Sequence, residues 1–411
     1  MQLREYQKQI SANAVDLLNR HKMAYLSMEC RTGKTITALE AARLFGARSV
    51  LFVTKIKAMQ SVMDDYKQMQ QEWPDIYTMK VINYESAHKL PPFAYDLAIL
   101  DESHTLGAFP RPSKRTQNIK QVCKGLPILY LSGTPSPESY SQLYHQFWVS
   151  SFSPFTQRTF YTWANAGFVK VKHRKVNGYV INDYSGAKRN KVEEATKHLF
   201  LSYSQKDAGF ETEIKEELIT VKMQPQTANY LHQMKRDKVI AHEGCTILGD
   251  TPAKMLNKMH QLSSGTIIDE EGQHHITDPS KAIRIASEFR DQKIAIFYVY
   301  QSEADLLHKY FPNYTEDPQT FQDSGNDCVF IAQVRKAREG VRLDKADALI
   351  FYNLEYSYLS YEQGRNRIVS KERATPAPIY FVISQCGIES KILDAVHNKE
   401  DFTLSYYNRN A

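Results

Sequence analysis

No run of apolar residues in this 411-residue chain approaches the ~18 needed to cross a membrane, so no membrane-spanning helix is expected. The opening residues, MQLREYQKQI, lack the apolar stretch of a secretory leader, and none is expected there. Cysteine is scarce: there are five, at positions 30, 123, 245, 328 and 386, with no C-x-x-C pair. Such scatter predicts neither a disulfide framework nor a zinc site, and it suits a reducing, cytoplasmic compartment. The pair His274-His275 has no Cys or His at ligand spacing and is expected in a solvated loop. Low-complexity linkers and short-period repeats are absent as well. A formal net charge of +6 is compatible with a polyanionic partner without establishing one.

The length suggests roughly two or three domains. Apolar runs at Lys22 to Met28, Ser49 to Thr54, Met79 to Tyr84, Asp96 to Leu100 and Pro127 to Leu131 read as strands, with helical segments such as Ala58 to Gln70 between them. The same alternation returns at Lys293 to Tyr300, Cys328 to Ala332, Ala348 to Tyr352 and Pro378 to Ile383, with helices at Glu303 to Tyr310, Ser357 to Ile368 and Ile388 to His397. The strands are continuously apolar rather than alternating, which predicts parallel sheets covered on both faces. The expectation is an α/β chain with one lobe over 1–150, a more polar middle of helices and one hairpin over 151–280, and a second lobe over 281–411.

A glycine is also missing. Met28 to Thr35 reads MECRTGKT, and a phosphate loop of the form G-x-x-x-x-G-K-[ST] would start with glycine where Met28 stands. The setting is nonetheless that of a phosphate loop, with a strand before it and a helical pattern, KTITALEAARLF, after it. A helix N-terminus offers free N–H groups and positive dipole charge to phosphate oxygens. Thr32 and Gly33 would shape the loop, Lys34 would reach the β- and γ-phosphates of ATP, and the Thr35 hydroxyl would ligate Mg2+. A second acid is supplied where an apolar strand runs into Asp101-Glu102-Ser103-His104. Neighbouring side chains at a strand end point in different directions, so Asp101 can hold the metal while Glu102 orients and deprotonates water.

Asp101 to His104 resembles the DEAH/DExH box of superfamily-two helicases, and the resemblance continues in order along the chain. Leu3 to Gln7, with Arg4 and Gln7, resembles the adenine-reading Q motif, and Val53 to Lys55 resembles motif Ia, which touches the nucleic-acid backbone. Leu131 to Pro135, with Thr134, resembles motif III in its Swi/Snf-type form. Glu29 precedes Gly-Lys-Thr with the Swi/Snf spacing, and this family does not require the first glycine. Phe297 to Ala304 stands at motif IV, and Ala337 to Leu343, with Gly340, resembles motif V. Tyr361 to Arg367 resembles motif VI.

Two departures are visible. Ala337 and Arg338 replace the further glycines of motif V. In motif VI, counting from Gln363 makes Arg367 the first motif arginine and puts Ser370 at the second, beside Lys371, whereas counting from Gly364 makes it Arg365. Both arginines therefore stand as candidates to stabilise the transferring phosphoryl group.

The resemblance implies two RecA-like lobes in tandem, ATP and Mg2+ as cofactors, and DNA as partner, whether duplex, forked or single-stranded. It also implies a minimal motor of phage or bacterial type in replication, recombination or fork repair, working in the host cytoplasm if phage-encoded. An RNA helicase, an ATP-gated clamp and a helicase-like subunit of a restriction complex are the alternatives. Independently of the family, residues 168–181 have a hairpin's pattern around Asn177-Gly178. Lys170, Lys172 and Arg174 fall on one face by the period of two, offering a basic ribbon to phosphates.

The hydrolytic assignments predict two distinct variants. Lys34→Ala abolishes ATPase activity by removing charge compensation at the phosphates. Glu102→Gln keeps ATP binding but stops turnover, because an amide cannot act as a base. Equilibrium nucleotide binding and steady-state phosphate release measure the two effects separately, and parental turnover by Glu102→Gln would remove the base assignment.

Overall fold

The computed structural model describes residues 3–91, 94–176, 179–208, 215–242, 244–337, 341–369, 377–385 and 387–398. Two units divide it, Met1–Gly209 and Phe210–Ala411. The first is built on β1 (Met23–Met28), β2 (Ser49–Thr54), β3 (Thr78–Asn83), β4 (Leu97–Leu100) and β5 (Ile128–Leu131), followed by β6 (Lys172–Val176), β7 (Tyr179–Asp183) and β8 (Phe200–Tyr203). Six of these form one parallel sheet in the order β3-β2-β4-β5-β1-β8.

Continuous apolar runs make this sheet because both faces are covered. Successive residues point to opposite sides: Leu51, Val53, Ala98 and Leu100 enter one core, and Val50, Phe52, Leu97 and Ile99 enter the other. Helices Glu5–His21 and Lys34–Phe45 close the second core with Ala14, Leu18, Ala38 and Leu39. The first core is closed partly from beyond residue 150, by Phe155, Phe160 and Trp163 around Tyr144 and Phe147. The sheet's last strand, β8, also comes from the middle region and pairs with β1 at Tyr25↔Phe200.

The second unit contains β9 (Glu216–Val221), β10 (Val239–His242), β11 (Cys245–Leu248), β12 (Thr266–Ile268), β13 (His274–Ile276), β14 (Ile294–Tyr298), β15 (Tyr314–Thr315), β16 (Val329–Gln333), β17 (Ala348–Phe351) and β18 (Ile379–Ser384). Its six-stranded parallel sheet runs β15-β16-β14-β17-β18-β9. Residues 151–280 are thus shared out, the first part completing unit one and the rest opening unit two. The sequence hides this because β8 and β9 are edge strands with mixed polarity, FLSY and EELITV, and carry no continuous apolar run. Among the described residues the middle also holds three antiparallel hairpins, β6-β7, β10-β11 and β12-β13, where one was expected.

A charge pair is sealed into unit two. Lys281, in helix Ser280–Glu288, meets Glu389, in helix Glu389–His397, and both side chains are buried. The Lys281 ammonium also donates to the Tyr352 carbonyl (3.2 Å), and the Ser384 N–H donates to Glu389 (2.7 Å). Burial outweighs the lysine and pushes the Glu389 carboxyl up to about 7. Lys281→Met is expected to destabilise by roughly 3 kcal/mol at pH 8, since it strands a buried carboxylate. That cost shrinks at pH 5, where Glu389 binds a proton, and most of it returns as stability in the double variant Lys281→Met/Glu389→Leu. Denaturant midpoints at the two pH values check both statements.

Candidate active site

The strand order of unit one brings the carboxyl ends of β2, β4, β5 and β1 side by side, the edge at which parallel α/β sheets hold ligands. The segments leaving these ends are the ones that begin with Lys55, Asp101, Ser132 and Glu29.

Met28 is the last residue of β1, and its side chain is fully buried in the apolar core. The chain turns without the missing glycine because Arg31 (φ 63°) and Gly33 (φ 80°) both take left-handed conformations. Thr32, buried, closes the turn by donating its hydroxyl to the Glu29 carbonyl at 2.8 Å. Gly33 is required twice over. Its φ disfavours a side chain, and a Cβ there would stand 2.3 Å from the Gln7 amide nitrogen. The helix then begins at Lys34, with Thr35 in its first turn.

Two flanks brace this loop. On one, the exposed Arg4 donates its backbone N–H to Gln7 Oε1 (2.9 Å), which orients the Gln7 amide toward the Thr32 carbonyl at 3.5 Å. Tyr6 donates its hydroxyl to the same carbonyl (2.9 Å) and stacks on Tyr203, ring centroids 4.3 Å apart. On the other, the Gln205 N–H donates to Glu29 (2.7 Å), and its side-chain amide donates to the Cys30 carbonyl (3.0 Å). Tyr6, Tyr203 and Gln205 were not legible as site residues. Tyr203 and Gln205 lie about 170 residues from the loop they hold, with no motif around them.

Asp101 follows β4 directly. Thr54 donates its hydroxyl to Asp101 Oδ2 (2.8 Å), and Tyr84 donates to its carbonyl (2.5 Å). Burial, then the neighbouring Glu102, push the Asp101 carboxyl up to about 6, against the lowering effect of Lys34. Glu102 adopts φ 49°, ψ 43°, a left-handed conformation. Its carboxylate lies 3.2 Å from His104 Nδ1, which is also 3.0 Å from Ser132 Oγ. The Thr134 N–H donates to that same hydroxyl at 3.1 Å. The Lys34 ammonium approaches Gly133, 3.4 Å from where a Cβ would be. The phosphate loop, the acidic box and the Ser132–Thr134 turn are therefore one connected cluster within unit one. The Asp101 carboxyl, raised by burial and by Glu102, is the electrostatic complement of a divalent cation, so the residues fit Mg2+, which Asp101 and Thr35 could hold.

In unit two, helix Tyr358–Arg365 is capped by Ser357. Gln363 is buried on it, and its Oε1 has no hydrogen-bond partner among the described residues. Arg365 donates to the Tyr361 hydroxyl (2.8 Å) and to Glu216 (3.2 Å), and its guanidinium lies 3.6 Å from Glu362. Arg367 donates from Nε to the Gln363 carbonyl (2.9 Å), and its own carbonyl accepts the Leu343 N–H at 3.2 Å, so the end of motif V meets motif VI. Arg338, Gly340, Ser370 and Lys371 lie outside the described residues. The Tyr300 hydroxyl lies in hydrogen-bond contact with Nδ1 of buried His260 at 2.9 Å.

Lys55 is half-buried after β2, and the hairpin β6-β7 forms with Val176↔Tyr179 flanking Asn177-Gly178, which lie outside the described residues. Val169 and Val171 pack against the unit-one core, and Lys170 and Lys172 are exposed. The side chain of Arg174 lies outside the described residues. Lys172 faces Asp183 across the ribbon, so the basic face is partly offset there.

The chain shows three similarities to known proteins. The family model described as "Type III restriction enzyme, res subunit" matches residues 1–89, a span that contains the braced phosphate loop. "Putative protein p41" of Acyrthosiphon pisum secondary endosymbiont phage 1 is 20% identical over 453 aligned positions, covering 96% of each chain. The Sulfolobus solfataricus SWI2/SNF2 ATPase core, solved in complex with dsDNA, superposes with a TM-score of 0.44 at 14% identity, covering 97% of this chain and 91% of that one. No described helix is long and apolar enough to cross a membrane.

The raised carboxyl gives a signed prediction. Asp101 ionises near pH 6 in the folded chain but near ~3.9 when unfolded. Its charge therefore costs no stability below about pH 4 and its full amount above pH 6 or so. In metal-free buffer, Asp101→Asn should be more stable than the parent by about 2–3 kcal/mol at pH 8, and the advantage should vanish by pH 4. Urea midpoints check it; an advantage equal at both pH values would contradict the assignment.

Proposed function

Taking this chain as one of the superfamily-two helicase type, we propose that it is an ATP-dependent DNA translocase or helicase of Swi/Snf-like kind, acting in replication, recombination or fork repair. The observation that carries the reading is the connected cluster of unit one, where Lys34, Asp101, Glu102, His104 and Ser132 meet at one sheet edge. Nothing in a merely structural turn needs a lysine and two carboxylates packed at the mouth of a buried sheet.

In this mechanism the N–H groups opening helix Lys34–Phe45 and the Lys34 ammonium take the phosphates, and Gln7 keeps the loop in its binding shape. Thr35 and Asp101 would hold Mg2+, which would supply charge neutralisation at the phosphates. Glu102 accepts the proton of the attacking water, and His104 beside it ties that carboxylate to Ser132 and Thr134. Arg365 and Arg367 both stand as candidates for the motif VI arginine: Arg365 faces Glu216 and Glu362 within its own unit, and Arg367 donates to the Gln363 carbonyl. Gln363 and Gly340 belong to the same motifs. The Ser-Gly-Thr-Pro form of motif III and the Glu29 spacing favour DNA over RNA. Lys55, Thr134 and the ribbon bearing Lys170, Lys172 and Arg174 are assigned to its backbone.

Triplex displacement and strand displacement, run on one preparation with ATP, test the motor reading. Displacement of either is expected. A chain that hydrolyses ATP and binds DNA yet displaces neither is a clamp. For the ribbon, neutralising Lys170, Lys172 and Arg174 together should flatten the slope of log K against log salt by roughly two to three units on duplex DNA. An unchanged slope in a folded variant leaves the hairpin as plain surface.

A further inference from the structure

Residues far apart in sequence meet in unit two, away from any motif. His274 and His275 lie in β13 rather than in a solvated loop. The period of two sends them opposite ways. His274 pairs with Asp305 (2.5 Å), whereas His275 turns toward Asp269 and Cys245. His275 Nε2 is 2.8 Å from Asp269 Oδ2 and 3.8 Å from Cys245 Sγ, and the three ligand atoms all lie within 4.8 Å of one another. We propose that Cys245, Asp269 and His275 form a binding site for a divalent transition metal of the zinc class, which staples hairpin β10-β11 to hairpin β12-β13.

The donor set has the right chemistry. A thiolate, a carboxylate and a neutral imidazole bring two negative charges to a doubly positive ion, and soft sulfur with imidazole selects zinc over magnesium or calcium. The distances suit it. With metal–sulfur near ~2.3 Å and metal–nitrogen near ~2.0 Å, tetrahedral ligands stand roughly 3.5 Å apart, so the S···N spacing already fits and the N···O spacing opens by a few tenths. The protons balance as well. Cys245 now donates its thiol proton to the His242 carbonyl (2.8 Å), and that proton is released on binding. The Nε2 proton that His275 shares with Asp269 moves to Nδ1, leaving the imidazole neutral.

The carboxylate is already aimed. Asp269 Oδ1 accepts the N–H groups of Glu271 (2.9 Å) and Gln273 (2.8 Å), which fixes the turn of the β12-β13 hairpin and leaves Oδ2 for the cluster. Behind it, buried His242 sets its ring edge-on to His275, centroids 5.3 Å apart, and is held from Nδ1 by the Tyr230 hydroxyl (3.1 Å). Asp269 is itself buried, and Cys245 and His275 are half-buried, so an ion could enter and be shielded. The fold has use for a staple. Hairpins of four- and three-residue strands are marginal alone, and here Ile240, Ile247 and Ile267 give them only a few apolar anchors.

The test uses the full chain, stripped with chelator and titrated with Co2+ and then Zn2+ in magnesium-free buffer. One equivalent of Co2+ should produce a thiolate-to-cobalt charge-transfer band with tetrahedral visible bands, and Zn2+ should displace it. Cys245→Ser should lose the charge-transfer band, and Cys245→Ser and His275→Ala should each weaken Zn2+ binding about 100-fold or more. His274→Ala should bind as the parent does. Zn2+ should raise the melting temperature of the parent and of His274→Ala but not of Cys245→Ser. A parent that gives no thiolate band, or a Cys245→Ser variant that binds Zn2+ with parental affinity, overturns the proposal. Either result leaves the ATPase reading untouched, because no ligand of this site belongs to unit one.

Discussion

The structure of unit one depends on a charge conflict held at the end of a buried sheet. Asp101 and Glu102 sit side by side where β4 leaves the core, and burial together with Glu102 makes Asp101 harder to ionise. Lys34 arrives from the loop after β1 and partly offsets them. Parallel pairing in the order β4-β5-β1 makes this meeting unavoidable, because it aligns the carboxyl ends of strands drawn from distant parts of the chain. A buried carboxylate beside a second, half-buried one is unfavourable for the fold alone. In the proposed mechanism a phosphate-bound cation would relieve that repulsion.

Everything around that conflict serves to keep it in shape. Thr54 and Tyr84 hold Asp101, His104 ties Glu102 to Ser132, and Gln7 and Gln205 brace the loop carrying Lys34. Apart from the His104 contacts, the braces are hydrogen bonds from neutral donors to backbone carbonyls or to carboxylates. Unit two follows a different logic. Its buried Lys281–Glu389 pair joins two helices, and its Arg365–Glu216 pair ties helix Tyr358–Arg365 to the edge strand β9.

The sequence made most of the sheets legible, because continuous apolar runs such as Leu97 to Leu100 and Ile128 to Leu131 can only be strands buried on both faces. It misled where edge strands carry mixed polarity, so β8 and β9 were hidden and the middle region looked like a separate insertion. Asp101, Glu102 and Lys34 were legible as a motif set, and their convergence is what strand order adds. The braces Tyr203 and Gln205 were not legible, since a contact across some 170 residues leaves no periodic trace. Nor was the meeting of Cys245 with His275. Ligand spacing along the chain is a guide only within one turn or hairpin, and here two hairpins supply the donors.

The central claim is that the cluster around Asp101 hydrolyses ATP under the control of nucleic acid. The most direct measurement is steady-state ATP hydrolysis with Mg2+, alone and in the presence of single-stranded DNA, duplex DNA, a forked DNA and RNA. The account predicts slow hydrolysis alone and a severalfold or greater rise with at least one DNA form, exceeding any rise with RNA. Hydrolysis that is absent under every condition, or that proceeds at one rate whatever polymer is added, would contradict it.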